Sequence, residues 1–142
     1  MIQDHIDGPL LLDTCAVLYL SSGTRLAPAL AEAIEGKAAS GDVFMSAISA
    51  WELGNLASRG RIVLSTDPLE FVSAFVAGLG VTVVDLSPEV LVRSSYLPGR
   101  PHKDPMDRIL IATARKLNMP LLTSDGAILA YGAEGHVKTV AC

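Results

Sequence analysis

The sequence predicts a three-layer α/β/α sandwich on a mostly parallel central sheet, and three observations carry that prediction. Short apolar runs such as Leu10-Leu11-Leu12, Val43-Phe44-Met45 and Leu121-Leu122-Thr123 are too brief for helices and suit strands buried on both faces. Helix-starting signatures recur between them, at Ser46, Asp67-Pro68, Ser87-Pro88 and Asp104-Pro105. Strands alternating with helices require crossovers, which cover both faces of a parallel sheet. With 142 residues, 50% of them apolar, the chain is expected to form one domain over residues 1–142 around a substantial core.

Each element has a local cause. The first strand, 10–12, follows Gly8-Pro9 and ends at Asp13. Alanine-rich 26–39 reads as a helix closed by Ser40-Gly41-Asp42, and 43–45 is the second strand. Ser46 caps a helix over 48–58, whose apolar positions recur at near-helical spacing until Arg59-Gly60-Arg61 ends it. Asp67 at N-cap, Pro68 at N1 and Glu70 at N3 open a helix over 68–79 that Gly80 stops. Residues 81–86 are β-branched and strand-like, and Ser87-Pro88-Glu89 starts another short helix. Turn formers make 97–103 a loop. Asp104-Pro105 opens a helix that runs to Leu117 and stops at Asn118, after which 121–123 is the fourth strand and 137–140 a fifth. No internal repeat is present.

Charge and cysteine usage narrow the function classes. With 11 basic and 15 acidic residues the net charge is -4, the wrong sign for a protein that coats nucleic acid, so any nucleic acid is met locally. Cys15 and Cys142 are too few for a disulfide framework or a zinc site and imply a reducing compartment. The start, Met1-Ile2-Gln3-Asp4-His5, lacks the basic flank of a signal peptide, and no apolar run reaches the length of a membrane span. A cytoplasmic protein with no membrane partner is expected.

The acids fall where an open α/β sheet builds its site, beyond the strand ends. Asp13 follows the first strand, Asp125 follows the fourth, Glu52 lies in the second turn of the helix after the second strand, and Asp104 and Asp107 open the helix before the fourth. Asp104 and Asp107 read equally well as a simple N-cap and a dipole-favouring first-turn acid. Asp13 and Asp125 have no capping duty unless a helix starts within a residue or two. Glu52, between Trp51 and Leu53, would be costly on an apolar helix without a cation or a cleft. At about 5 Å spacing and an effective dielectric near ~20, each ionised pair repels by roughly 3 kcal/mol, so convergence demands a cation. Carboxylate oxygens suit Mg²⁺, with Mn²⁺ in its place, and a water on such an ion attacks phosphodiesters readily.

These residues resemble the PIN domain family and, within it, the VapC-type toxins of toxin–antitoxin pairs. The resemblance rests on Leu10-Leu11-Leu12-Asp13-Thr14, on Ser46-Ala47-Ile48-Ser49-Ala50-Trp51-Glu52-Leu53, on His102-Lys103-Asp104-Pro105-Met106-Asp107-Arg108-Ile109, and on Leu121-Leu122-Thr123-Ser124-Asp125, in that order along nearly the whole chain. It implies that Asp13, Glu52, Asp107 and Asp125 are catalytic and hold the metal, with Asp13 and Asp107 principal and Asp104 an additional acid. Thr14 and Ser124 are candidate orienting hydroxyls, or else make local turn hydrogen bonds. Met106 stands where an aromatic is common in that subgroup. The resemblance further implies a Mg²⁺-dependent ribonuclease, a homodimer, and a cognate VapB-like antitoxin lying across the cleft, where an Arg would suit the acids.

Arg100 and Lys103 are candidate RNA contacts from the loop, as is Arg108 unless it pairs with Asp104 at i,i+4. His5, His102 and His136 are widely spaced, and only His102 is near the acids; it reads mainly as a solvated loop residue. Cys15 reads as a small buried apolar residue, and Trp51, Phe71 and Phe75 as core or dimer packing. A dehalogenase-type phosphatase would need an Asp where Cys15 stands. The remaining alternative is a catalytically weak module acting through antitoxin binding and oligomerisation.

Overall fold

The computed structural model describes residues 7–142. The signal-peptide reading and His5 lie outside them. Five parallel strands stand in the order β3-β2-β1-β4-β5: β1 (Leu10–Leu12), β2 (Val43–Ser46), β3 (Thr82–Val84), β4 (Leu121–Thr123) and β5 (Thr139–Ala141). Seven helices connect them: α1 (Thr14–Ser22), α2 (Pro28–Ala39), α3 (Ala47–Ser58), α4 (Pro68–Leu79), α5 (Pro88–Arg93), α6 (Pro105–Leu117) and α7 (Gly126–Ala133). The expected α/β/α sandwich is therefore the observed one.

Alternation along the strands divides the core into two layers. Leu10 and Leu12 of β1, Val43 and Met45 of β2 and Leu122 of β4 pack with Ala16, Val17, Ile34 and Leu53 on one face. Leu11 and Leu121 point the other way, onto Leu110, Ile111, Ile128 and Tyr131 of α6 and α7. Register keeps these sets together, since Leu11 aligns with both Phe44 and Leu121, and Leu12 with both Met45 and Leu122. A one-residue slip would exchange the faces.

Two helices are additions to the expected set. α1 is apolar from Cys15 to Leu20, so it shows no amphipathic period, and α7 is bracketed by Gly126 and Gly132, which read as turn residues. Both are held by burial of Ala16, Val17, Ile128 and Tyr131, which outweighs local propensity. The expected strand over 81–86 is only Thr82–Val84, and that over 137–140 shifts to Thr139–Ala141. No helix among the described residues is long and apolar enough to cross a membrane.

The chain runs outward from β1 through β2 to β3, then returns to place β4 on the other side of β1. The switch of direction lies between β1 and β4, and an open parallel sheet has its crevice beyond the strand ends at that point.

Candidate active site

Asp13 and Asp125 leave the ends of β1 and β4 on either side of the switch point, and both begin helices. Asp13 is the N-cap of α1, its Oδ1 accepting from the Thr14 amide at 2.7 Å. Asp125 is the N-cap of α7, its Oδ1 accepting from the Ala127 and Ile128 amides at 2.8 and 3.0 Å. Asp104 caps α6 in the same way, with Oδ1 2.9 Å from the Met106 amide. The condition under which Asp13 and Asp125 would cap is met, because α1 and α7 start at the next residue. Capping uses Oδ1 in all three and leaves Oδ2 for other work.

Thr123 is a residue that sequence reasoning missed. Fully buried on β4, it donates its hydroxyl to Asp13 Oδ2 at 2.6 Å and accepts the Asp125 amide at 3.0 Å, locking two acids with one oxygen. Its place two residues before an acid at a strand end was the available signal. Of the expected orienting hydroxyls, Thr14 lies 3.0 Å from Ser49 Oγ and beside Glu52, whereas Ser124 faces Tyr19 Oη at 3.0 Å and Cys15 Sγ at 3.4 Å instead of an acid.

Asp13, Glu52, Asp104, Asp107 and Asp125 line a single cleft of about 290 Å³ together with Thr14, Cys15 and Ser124. Cys15, read as a plain packing residue, is half-buried at that cleft, its Sγ 3.5 Å from Asp13 Oδ2, and a hydrogen bond from Cys142 lowers its pKa. A larger hollow of about 690 Å³ lies between α6, α7 and β5, but its lining, which includes Arg115, His136 and Lys138, holds no carboxylate.

The electrostatics are those of crowded acids. Burial, then the charges of Asp13, Asp104, Asp125 and Glu52, push the Asp107 carboxyl up to about 8. Burial raises Asp13 to about 7 against the hydrogen bonds from Thr123 and Thr14, and burial also raises Glu52, which feels Asp13 and Asp104. Such a cluster favours protons or a cation. Hard oxygen donors at this density fit a divalent ion such as Mg²⁺ or Mn²⁺.

His102, set aside by sequence reasoning, stands at the acids. Its Nε2 is 3.3 Å from Asp107 Oδ2 and 3.6 Å from Asp125 Oδ2, and its Nδ1 accepts the Asp104 amide at 2.9 Å. The three side chains could gather around one ion. Arg100 and Lys103 are exposed on the same loop. Arg108 is a correction: it does not pair with Asp104 but gives Nε to Ser94 O at 2.9 Å and a terminal nitrogen to Ser95 O at 3.3 Å. Those carbonyls end α5 and need donors, which the guanidinium supplies. Trp51 is exposed, not core, while Phe71 and Phe75 are partly buried.

The PIN domain family matches residues 10–134. Among solved structures, the fold is similar to VapBC2 from Rickettsia felis bound to a DNA fragment from its promoter, with TM-score 0.68, 14% identity and coverage of 93% of this chain and 97% of that one. DNA-bound VapBC from Salmonella typhimurium has TM-score 0.67 at 13% identity over 95% and 98% of the two chains. FitAcB from Neisseria gonorrhoeae has TM-score 0.60 at 17% identity over 92% and 95%. No curated protein matches the chain.

Proposed function

The chain belongs to the PIN domain family, and from that premise we propose that it is a metal-dependent endoribonuclease, the toxin of a VapBC-type pair, with residues 1–142 acting as a single nuclease domain. The observation that carries the reading is the gathering of five acids in one cleft at the switch point of the sheet.

Asp13, Glu52, Asp107 and Asp125 would hold Mg²⁺, or Mn²⁺, with Asp104 beside them. The ion supplies an activated water and neutralises charge developing on the phosphodiester. Thr123 fixes Asp13, helix caps fix Asp125 and Asp104, and α6 presents Asp107 from its first turn. The N-caps of three helices therefore line the cleft, where the partial positive charge of a helix N-terminus favours bound anions. One of the carboxylates accepts the proton of the attacking water. Arg100 and Lys103 supply phosphate contacts that a net charge of -4 does not provide elsewhere.

The acidic cleft also suits an Arg from a VapB-like antitoxin, which would pair with the carboxylates and exclude the metal. Exposed Leu91, Val92 and Tyr96 on and after α5 offer apolar area for a homodimer. A cytoplasmic setting fits the two free thiols.

The test is cleavage of a mixed RNA pool by the purified protein in Mg²⁺, Mn²⁺ or EDTA. Discrete cuts that vanish with EDTA and fall at least about 100-fold in Asp13→Asn are expected. A module that works only by binding would cut in none of these conditions and would be indifferent to Asp13→Asn.

A further inference from the structure

We propose that His102 is the hydrogen-bond donor that receives the substrate's phosphate, and not a metal ligand. The inference rests on the nuclease reading above and names a residue that this reading does not use.

The tautomer decides the role. His102 Nδ1 accepts the Asp104 amide at 2.9 Å, and a ring nitrogen that accepts carries no proton. With Nδ1 accepting, the ring's donor is Nε2, the atom that faces Asp107 and Asp125. For Nε2 to ligate a cation the ring proton would have to move to Nδ1, which faces the Asp104 N–H, so the ring stands with two carboxylates as their donor and not as a third ligand. At 3.3 and 3.6 Å it straddles Asp107 Oδ2 and Asp125 Oδ2 without a short bond to either. This N–H is committed to neither carboxylate.

A phosphodiester that enters this cleft brings anionic oxygens among carboxylates, so it needs a donor there. The cleft walls are Asp13, Glu52, Asp104, Asp107 and Asp125 with hydroxyl, thiol and leucine side chains, and they include no Lys or Arg. Among the described residues, the side-chain N–H set against those carboxylates is that of His102.

The ring is also held in place. The loop before it is pinned by the Tyr131 hydroxyl, which donates to Pro98 O at 2.5 Å. Gly99 has φ +67, a conformation that other residues rarely adopt, and a Cβ there would displace the His136 ring, whose Nε2 would lie 2.7 Å away. Arg108 ties α6 to the end of α5, where the loop begins. An anchored donor of this kind loses little freedom when it binds.

Two substitutions separate the two ring nitrogens. In His102→Asn the amide oxygen can replace Nδ1 as acceptor of the Asp104 N–H, two residues on, while nothing reaches the Nε2 position. In His102→Gln the amide nitrogen reaches toward the Nε2 position. Each variant would be compared with the wild type for binding of a labelled, mixed-sequence single-stranded RNA in Ca²⁺, for Mn²⁺ affinity without RNA, and for cleavage in Mg²⁺. We expect RNA binding to weaken about tenfold or more in His102→Asn and to recover largely in His102→Gln, with Mn²⁺ affinity within about twofold throughout. The ¹⁵N shifts of the wild-type ring should report a protonated Nε2.

Unchanged RNA binding in His102→Asn overturns the inference, as does an Mn²⁺ affinity that falls with RNA binding, or an Nε2 without its proton. A wild type that binds RNA but does not cut it contradicts the nuclease reading alone, and the same binding ratio still decides the role of His102. A wild type that does not bind the RNA overturns both.

Discussion

Asp13 shows how one side chain serves structure and chemistry together. Its Oδ1 caps α1 and its Oδ2 takes the Thr123 hydroxyl, yet its carboxyl remains raised to about 7 by burial. Removing that hydroxyl with Thr123→Val leaves the Asp125 amide without its acceptor, so a loss of about 1–3 kcal/mol in urea unfolding is expected, together with weaker cleavage. A variant as stable and active as the wild type would show that Thr123 fills space only. The acids also predict a pH dependence. Asp13 and Asp107 sit at about 7 and about 8 in the folded chain, against 3.8 in the reference state. The folded state therefore holds the extra protons, and this stabilisation is complete below about pH 4 and lost as pH rises through 7 to 8. In EDTA the unfolding midpoint should fall over that window, Mg²⁺ should restore it, and Asp13→Asn with Asp107→Asn should flatten the profile. A flat wild-type profile in EDTA would refute the raised values. At this scale the acids were legible because strand ends and cap signatures mark them. Thr123 and His102 were not, because their roles arise from contacts between β4 and β1 and between a loop and two helices.

Among the elements, α6 was the most legible. Asp104-Pro105 starts it, and Asn118 at φ 51 ends it in the left-handed conformation that Asn tolerates. The Arg108 side chain then links it to α5, a connection that a helix-local reading, which offered an i,i+4 pair with Asp104 or an RNA contact, could not find. α1 and α7 were illegible for the opposite reason: their nearly continuous apolar stretches carry no period, and only the packed sheet makes them helices. The loop between α5 and α6 has its own prediction. Gly99→Ala forces a side chain against His136 at a positive φ, so a cost of about 1–2 kcal/mol and weaker RNA binding are expected. Unfolding and RNA-binding titrations measure both. RNA binding unaltered in a folded Gly99→Ala protein would mean that the loop does not place the substrate.

For the whole molecule, topology concentrates the acids. The order β3-β2-β1-β4-β5 puts the ends of β1 and β4 side by side, so residues more than a hundred positions apart, Asp13 and Thr123, share a hydrogen bond. The sandwich class was legible in the alternation of runs and caps, whereas strand order was not, since three-residue strands carry no pairing code of their own. Subunit association is a prediction at this scale: Val92→Ser with Tyr96→Ser removes apolar area exposed near α5 and should shift a homodimer toward monomer in sedimentation. An unchanged mass would place the interface elsewhere. Whether the five acids form a metal-dependent nuclease centre is decided by RNA-pool cleavage with wild type and Asp13→Asn in Mg²⁺ and in EDTA. A metal-dependent centre gives discrete cuts by the wild type in Mg²⁺ and none in EDTA. Equal cleavage by Asp13→Asn, or cleavage that survives EDTA, would contradict it.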